Sequence, residues 1–305
     1  MRYVVTGAAG FIGSHLLRAL LERSHAAVGW DAFTDYYDLE LKEENAAGLP
    51  VERLDVVDDE LDLSGVDGVF HLAAQPGVRS FGGIFPVYVR QNVLASRRLF
   101  EAAAAAGARV VFASSSSIYG DAEAYPTPED TRPQPLSPYG ITKLACEHLA
   151  YAYGREFDLD AVILRYFNAF GPRQRPDMAF ARMVFALAEG RPFELYGDGT
   201  QSRSFTYVAD VIEATIRAME TAPSGALYNV GGGEEVSMVR AIETLGRLAG
   251  RALEVVRAPR LAGDVRRTAA DTSRIEGELG WKAETTFEEG LRAQWEWAAG
   301  RVAAR

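Results

Sequence analysis

Short apolar runs of strand length alternate with amphipathic segments of helix length through the first half of the chain. The apolar runs cover residues 2–6, 26–30, 51–54, 66–72, 109–113 and 160–166. A helix predicted over residues 92–107 ends at a glycine, which is typical of a helix C-cap. Strands that alternate with helices form parallel sheets covered by helices on both faces. We therefore predict a doubly wound parallel α/β sheet.

The alternation weakens after Asn168, where Gly171-Pro172 breaks the chain and residues 176–190 are predicted to form a helix outside the sheet. We predict a smaller second domain at this end, with Trp281, Trp295 and Trp297 in its core. The predicted boundaries are 1–167 and 201–230 for the sheet domain, and 168–200 and 231–305 for the second domain.

The first strand leads directly into three glycines that open a helix, in the pattern Gly7-x-x-Gly10-x-x-Gly13. Gly7 is suited to the tight turn, Gly10 to a close approach of the backbone to a pyrophosphate, and Gly13 to close packing of helix on strand. A helix N-terminus offers free N–H groups and a positive dipole end to phosphates. The spacing departs from G-x-G-x-x-G, but its place after the first strand predicts a dinucleotide site.

Acidic residues end the next two strands. Asp31 is placed to bind both hydroxyls of an adenosine ribose and to repel a 2′-phosphate, which favours NAD over NADP. Asp55, followed by Val56, is placed to bind the adenine amine or is a solvated turn residue. The fourth strand ends at the same edge of the sheet. The predicted cofactor-binding residues are Gly7, Gly10, Phe11, Ile12, Gly13, Asp31, Asp55, Val56, Leu72, Ala73, Ala74, Tyr139 and Lys143.

A cluster of serines at 114–117 closes the fifth strand, and Tyr139 and Lys143 follow with the spacing i, i+4. In a helix that begins at the N-cap Ser137, this spacing places phenol and ammonium on one face. The lysine charge would stabilise a phenolate, whose phenol otherwise titrates near pH 10. The pair is therefore a candidate general base; the alternative is an ordinary surface tyrosine and lysine.

Composition narrows the class of protein. The chain has 305 residues, 48% of them hydrophobic and 24% charged, and a net charge of −10. This acidity excludes nucleic acid as the expected partner. The single cysteine, Cys146, is expected to be a buried packing residue in a reducing compartment. We find no signal-peptide pattern, no membrane-spanning run and no metal-ligand spacing of histidines, so we expect a cytoplasmic protein without metal or membrane partner.

Together these motifs resemble those of the extended short-chain dehydrogenases/reductases that act on nucleotide sugars. The resemblance rests on the glycine pattern, Asp31, His71-Leu72-Ala73-Ala74, the serine cluster, the Tyr-x-x-x-Lys pair and Arg165-Tyr166-Phe167-Asn168. It implies that Tyr139 is the base, that Lys143 binds the nicotinamide ribose, and that Ser115 with Ser117 holds the sugar hydroxyl. It also implies a homodimer formed through the helices at 92–107 and 139–157.

Differences within the serine cluster favour one reaction. Related 4,6-dehydratases have Thr-Asp-Glu where this chain has Ser115-Ser116-Ser117, so the carboxylates that eliminate water are missing. Reversible removal of hydride at C4 remains, which implies an epimerase. Alternatives are a neutral UDP-hexose 4-epimerase, a UDP-glucuronate decarboxylase, and a nucleotide-binding module without turnover.

The segment Arg173-Gln174-Arg175-Pro176-Asp177-Met178-Ala179 resembles that of UDP-glucuronate 4-epimerases, as does Asp35-Tyr36-Tyr37-Asp38. By this match Arg175 would hold the C6 carboxylate. Oxidation at C4 makes a β-keto acid, which loses CO2 readily when its carboxylate turns perpendicular to the carbonyl; a bidentate arginine fixes the carboxylate plane. The alternatives for Arg175 are phosphate binding or a surface ion pair.

Further substrate contacts follow from the resemblance. Arg203 would contact the diphosphate, although Ser204 stands where the family has aspartate, and residues 263–267 would close on the uridine ribose. Asn168 would touch the diphosphate or cap a turn. His71 is expected to be a packed residue at a strand end. The implied substrate-binding residues are Arg79, Ser115, Ser116, Asn168, Arg175, Met178, Arg203, Arg260 and Asp264.

Overall fold

The computed structural model describes residues 1–77, 82–259 and 267–304. The strands are β1 Arg2–Thr6, β2 Ala26–Asp31, β3 Val51–Arg53, β4 Gly68–His71, β5 Arg109–Ser115, β6 Ala161–Tyr166, β7 Asn168–Phe170, β8 Phe193–Tyr196, β9 Ser202–Tyr207, β10 Leu227–Val230, β11 Glu235–Ser237, β12 Val255–Ala258 and β13 Arg267–Thr268. The helices are α1 Phe11–Glu22, α2 Leu39–Ala46, α3 Phe85–Tyr88, α4 Ala95–Ala106, α5 Pro138–Glu156, α6 Ala179–Ala188, α7 Val208–Thr221, α8 Met238–Ala249, α9 Ser273–Leu279 and α10 Phe287–Ala303.

Within these ranges, seven strands form one sheet in the order β10-β6-β5-β4-β1-β2-β3, and every pair in it is parallel. From β1 the chain adds β2 and β3 on one side, and it then crosses to the other side of β1 to add β4, β5, β6 and β10. The direction in which strands are added therefore reverses at β1. In sheets of this kind, ligands bind outside the carboxyl ends of the strands at such a reversal. The predicted doubly wound parallel sheet is confirmed.

Helices cover both faces of the sheet. One face packs on α1 and α7 through apolar residues such as Leu16, Leu20 and Ile216. The other face packs on α4 and α5, with Cys146 fully buried there as predicted. Trp281 was expected in the core of the second domain; it lies instead in the first of these cores, where its indole N–H donates to the Asp210 carbonyl at 3.0 Å.

A second layer of small sheets forms the rest of the molecule. β9 pairs with β7, β11 and β13, while β8 pairs with β12. Helices α6, α8 and α10 pack around an apolar core here, against which Trp295 and Trp297 are half-buried. Within the predicted segment 201–230, β10 belongs to the large sheet and α7 packs on it, but β9 belongs to the small sheet that contains β7, β11 and β13. α9 contributes Ile275 to the core of the large sheet.

Two helices start at different residues from those predicted. The helix expected from Asn92 begins at Phe85, because α3, a π-helical turn over Val89–Leu94 and α4 follow one another without a break up to Gly107. α6 begins at Ala179, since the residues from 176 to 178 form a turn in front of it.

Candidate active site

A single cleft runs along the carboxyl ends of β1, β2, β4, β5 and β6. All thirteen predicted cofactor-binding residues line it, together with the predicted substrate residues Ser115, Arg175 and Met178. Side chains from distant parts of the chain meet here because parallel strands bring their carboxyl ends to one edge of the sheet.

The glycine turn leaves no room for side chains at its two ends. Gly7 has φ +72°, and a Cβ there would lie 2.9 Å from the backbone nitrogen of Ala73. A Cβ on Gly13 would lie 2.1 Å from the carbonyl oxygen of Gly7. Gly10 N–H donates to the same Gly7 carbonyl at 3.0 Å. The turn therefore presents bare backbone and the N-terminus of α1 to the cleft, which suits a pyrophosphate.

Asp31 anchors the wall of the cleft at the end of β2. Its Oδ2 accepts from the Ala9 N–H at 3.0 Å and its Oδ1 accepts from the Phe33 N–H at 2.8 Å. The second lone pair of each oxygen can still accept from a ribose hydroxyl. The Asp31 carboxylate therefore both holds the glycine turn in place and lines the cleft.

Lys42 and Tyr37, to which the sequence pattern gives no role, line the cleft beside Asp31. Lys42 Nζ donates to the Thr34 carbonyl at 2.7 Å and lies 5.0 Å from the centre of the Tyr37 ring. Burial lowers the pKa of Lys42, and Asp31 opposes this shift. The Tyr37 hydroxyl is buried without a hydrogen-bond partner in the described part of the chain. Such an orphaned donor in a cleft fits a polar group of a bound ligand.

Tyr139 and Lys143 lie on α5, whose N-cap Ser137 accepts from the Gly140 N–H at 3.1 Å as predicted. The Lys143 side chain is 2% exposed, and its Nζ donates to the Ala113 carbonyl at 2.7 Å. Its Nζ also lies 5.8 Å from the centre of the Tyr139 ring. Burial lowers the pKa of Lys143 to about 8.

The pKa of Tyr139 differs from the simple expectation. Burial raises it, and the main opposing influence is the charge of Arg175, followed by a hydrogen bond with Ser115. Arg175 is thus a second cation near the phenol, beside the predicted Lys143, whose Nζ lies 5.8 Å from the centre of the Tyr139 ring. The Lys143 ammonium donates to the Ala113 carbonyl, and Arg175 lines the same cleft as Tyr139.

Ser114 and Ser115, at the end of β5, both line the cleft, whereas Ser116 and Ser117 do not. Ser115 Oγ donates to Ser117 Oγ at 3.1 Å, and it accepts from the Ser117 N–H at 3.1 Å. Ser114 Oγ donates to the buried carboxylate of Glu147 on α5. The strand end is thus fixed to the helix that bears Tyr139.

A buried ion pair lies behind these serines. Glu147 accepts from Arg165 Nη2 at 2.8 Å and Nε at 3.1 Å, and both side chains are 6% exposed. Arg165 Nη1 also donates to the Tyr119 hydroxyl at 2.8 Å and the Glu129 carbonyl at 2.9 Å. Tyr119 in turn donates to Asn229 at 2.8 Å. The network joins α5, β6, β10 and the loop after β5.

Arg175 enters the cleft from the loop before α6. Its Nε donates to Asp177 Oδ1 at 3.0 Å and its Nη2 donates to Asp177 Oδ2 at 3.1 Å. The Tyr36 hydroxyl donates to the same carboxylate at 3.3 Å, and the guanidinium lies 5.9 Å from the centre of the Tyr36 ring. A cation held by Asp177 therefore shares the cleft with the candidate base.

Other predicted residues lie elsewhere. Asn168 donates to Thr268 Oγ1 at 2.7 Å, and Arg203 Nη1 donates to the Ser202 carbonyl at 2.9 Å; neither lines the cleft. His71 is fully buried between Thr6 and Ser96, as expected for a packed residue. Arg79, Arg260 and Asp264 lie outside the described residues.

The described ranges contain no group of three or more His, Cys, Asp or Glu side chains able to hold a metal ion. Likewise, no helix in those ranges is long and apolar enough to cross a bilayer.

The parallel sheet, the glycine turn and the Tyr-x-x-x-Lys pair in one cleft define an enzyme fold of the short-chain dehydrogenase/reductase class. A sequence model of the NAD dependent epimerase/dehydratase family matches residues 3–231. The chain belongs to this family, which confirms the predicted resemblance and its NAD-dependent class.

Relatives of this chain span its full length. The uncharacterized UDP-glucose epimerase YtcB of Bacillus subtilis is 40% identical over 304 residues, covering 95% of this chain and 96% of its own. UDP-glucuronate 4-epimerase of Thermodesulfobacterium geofontis is 35% identical over 315 residues, covering 98% and 97%. UDP-glucuronic acid 4-epimerase from Bacillus cereus, in a crystal structure with UDP-glucuronic acid and NAD, is 38% identical with a TM-score of 0.94, covering 99% of this chain and 100% of that chain.

Proposed function

We propose that this protein is an NAD-dependent UDP-sugar 4-epimerase and that its substrate is UDP-glucuronate, which it converts to UDP-galacturonate through a 4-keto sugar. The observation that supports this substrate is the Arg175 guanidinium, which shares a cleft with Tyr139 and opposes the rise that burial causes in the pKa of Tyr139. A cation in that position suits an anionic sugar next to the base.

The residues of the cleft fit NAD. The glycine turn would hold the pyrophosphate, Asp31 the adenosine ribose, and the unpartnered Tyr37 hydroxyl is available to a polar group of the dinucleotide. When bound, NAD supplies a hydride acceptor that takes hydrogen from C4 and returns it to the other face of the sugar. Lys143, fixed by the Ala113 carbonyl, is placed to bind the nicotinamide ribose.

Side chains of the protein itself transfer the proton of the C4 hydroxyl. In this proposal Tyr139 accepts the proton of the C4 hydroxyl and later returns it to the same oxygen. Ser115 holds that oxygen and the phenol together, since its hydroxyl is bonded to Ser117 and oriented toward Tyr139. Arg175 offsets the cost of a buried phenolate, because an opposite charge nearby favours the ionised form.

The substrate can be tested directly. We would incubate the protein separately with UDP-glucuronate and UDP-glucose and separate the products by anion-exchange chromatography. Epimerisation of UDP-glucuronate with a higher kcat/KM than that of UDP-glucose is expected, and Tyr139→Phe should abolish it. A protein that converts neither sugar, or whose Tyr139→Phe variant retains full turnover, contradicts the proposal.

A neutral UDP-hexose is the second candidate substrate. One observation favours it: the Asp177 carboxylate already accepts hydrogen bonds from two N–H groups of Arg175, so the positive charge of this guanidinium is partly neutralised. The similarity to the Bacillus subtilis relative points the same way. A higher kcat/KM for UDP-glucose in the same assay would select this alternative.

We also propose a homodimer formed by α4 and α5. The two helices pack side by side, and Tyr151 and Phe157 at the end of α5 are 65% and 61% exposed. A second copy would cover these rings. Light scattering should give about twice the mass of 33.3 kDa at micromolar concentration, and a monomer would contradict this proposal.

A further inference from the structure

The side chain of Arg175 is held in one plane by residues that do not belong to the catalytic pair. Asp177 binds it side-on through Nε and Nη2, and the Tyr36 hydroxyl in turn donates to Asp177 at 3.3 Å. The backbone adds to this, because the Met178 N–H donates to the Arg175 carbonyl at 3.1 Å and closes a turn in front of α6. Arginine, aspartate and tyrosine thus form one fixed unit.

Part of the Arg175 guanidinium still has N–H groups available for a ligand. A guanidinium has five N–H groups. Asp177 uses one on Nε and one on Nη2, so two on Nη1 and one on Nη2 remain at the far end of the group. Those two nitrogens form the end-on fork that binds a carboxylate bidentately. A second carboxylate can therefore bind Arg175 without displacing Asp177.

We propose that Asp177 and Tyr36 are positioning residues that fix the plane of Arg175, and through it the plane of the C6 carboxylate of the substrate. This inference rests on the proposed function. Its consequence concerns the 4-keto intermediate, where the C5–C6 bond can break, its electron pair passing into the C4 carbonyl as an enolate while CO2 leaves; C5 then takes a proton. Loss of CO2 requires the C5–C6 bond to align with the carbonyl π system. A fork that holds both carboxylate oxygens also fixes the position of C6, so the C5–C6 bond stays out of alignment with the carbonyl π system and the epimer forms instead of the pentose.

The test is the product ratio of Asp177→Asn. The amide keeps the size of the side chain but replaces one of the two acceptors with a donor, which frees Arg175 to rotate. With UDP-glucuronate as substrate, we expect the ratio of decarboxylated product to UDP-galacturonate to rise about tenfold, given the sensitivity of such reactions to small misplacements. Tyr36→Phe, which removes only the bond to Asp177, should raise the ratio less. NMR of the product mixture measures both.

Asp198→Asn is the matched control, because Asp198 is exposed and caps the turn at Thr200 away from the cleft. It should leave the product ratio unchanged. If the wild-type protein epimerises UDP-glucuronate and both Asp177→Asn and Tyr36→Phe keep its product ratio, the positioning roles of Asp177 and Tyr36 are overturned, while the proposed function stands. Folded Asp177→Asn protein without any turnover also overturns it, since a positioning residue should change the partition and not abolish the reaction. Wild-type protein that converts only UDP-glucose overturns the proposed substrate and this inference together.

Discussion

Replacement of Glu147 by alanine should be one of the most destabilising single changes in this chain. Glu147 and Arg165 form a bidentate pair inside the protein, with both side chains 6% exposed. The variant leaves the Arg165 guanidinium buried without its counter-ion and also leaves the Ser114 hydroxyl without its acceptor. Water cannot replace these partners without opening the contact between α5 and β6.

The magnitude follows from the burial of the pair. Removing one partner of a buried ion pair costs about 3–5 kcal/mol, and the lost serine hydrogen bond adds about 1 kcal/mol. An exposed pair gives the contrast: Arg247 and Glu288 are also bidentate, at 2.8 and 2.7 Å, but their side chains are 61% and 41% exposed. Glu288→Ala should therefore cost much less than Glu147→Ala, because water screens an exposed ion pair.

Urea unfolding followed by tryptophan fluorescence measures both variants under the same conditions. Equal m values would show that the midpoints can be compared as stabilities. The double variant Glu147→Leu/Arg165→Met should be more stable than Glu147→Ala, because it leaves no buried charge unpaired. If Glu147→Ala costs no more than Glu288→Ala, the claim that this network holds the active-site wall is wrong.

Three other predictions concern the cleft. Gly13→Ala should lower the free energy of unfolding, measured by urea titration, by about 1–3 kcal/mol, because its Cβ would lie 2.1 Å from the Gly7 carbonyl oxygen. As a control, Gly300→Ala lies in an exposed part of a helix with open space around its Cβ, and it should raise the free energy of unfolding by up to about 1 kcal/mol. The pKa of Lys143 is about 8 in the folded protein against an ordinary value of 10.5, so the unfolded state binds more protons between these pH values. The free energy of unfolding should therefore rise with pH across this window by about 3 kcal/mol relative to Lys143→Met, as measured by urea titrations at several pH values. Arg175→Ala should sharply raise KM for UDP-glucuronate, and an unchanged kcat/KM would remove Arg175 from the mechanism.

The fold, and the fact that the glycine turn, Asp31, Tyr139 and Lys143 line one cleft, are predicted well from the sequence because they depend on local patterns. The strand, glycine turn and helix at the N-terminus are contiguous, so the spacing of Gly7, Gly10 and Gly13 already determines where a side chain can fit. Tyr139 and Lys143 share a helix, and their spacing places them on one face. Asp31 follows from its position at the end of a strand.

Contacts between distant segments could not be predicted in the same way. No local pattern shows that Glu147 on α5 and Arg165 on β6 neutralise each other. Nor does one show that the Arg175 guanidinium is hydrogen-bonded to Asp177 and not to water. Lys42 and Tyr37 were missed because they lie on a short helix and a loop whose return to the cleft depends on packing. Asp35-Tyr36-Tyr37-Asp38 was the available signal, since its resemblance to the uronate epimerases pointed to this loop without saying which side chain enters the cleft.

The placement of the lysines has a practical consequence for handling the protein. Only three lysines occur among 305 residues, and two of them, Lys42 and Lys143, are buried along the nucleotide cleft. The third, Lys282, is exposed and does not line that cleft. Amine-reactive dyes or resins should therefore attach to the folded enzyme at Lys282 and the amino terminus, giving an immobilised catalyst whose cleft stays open to solution.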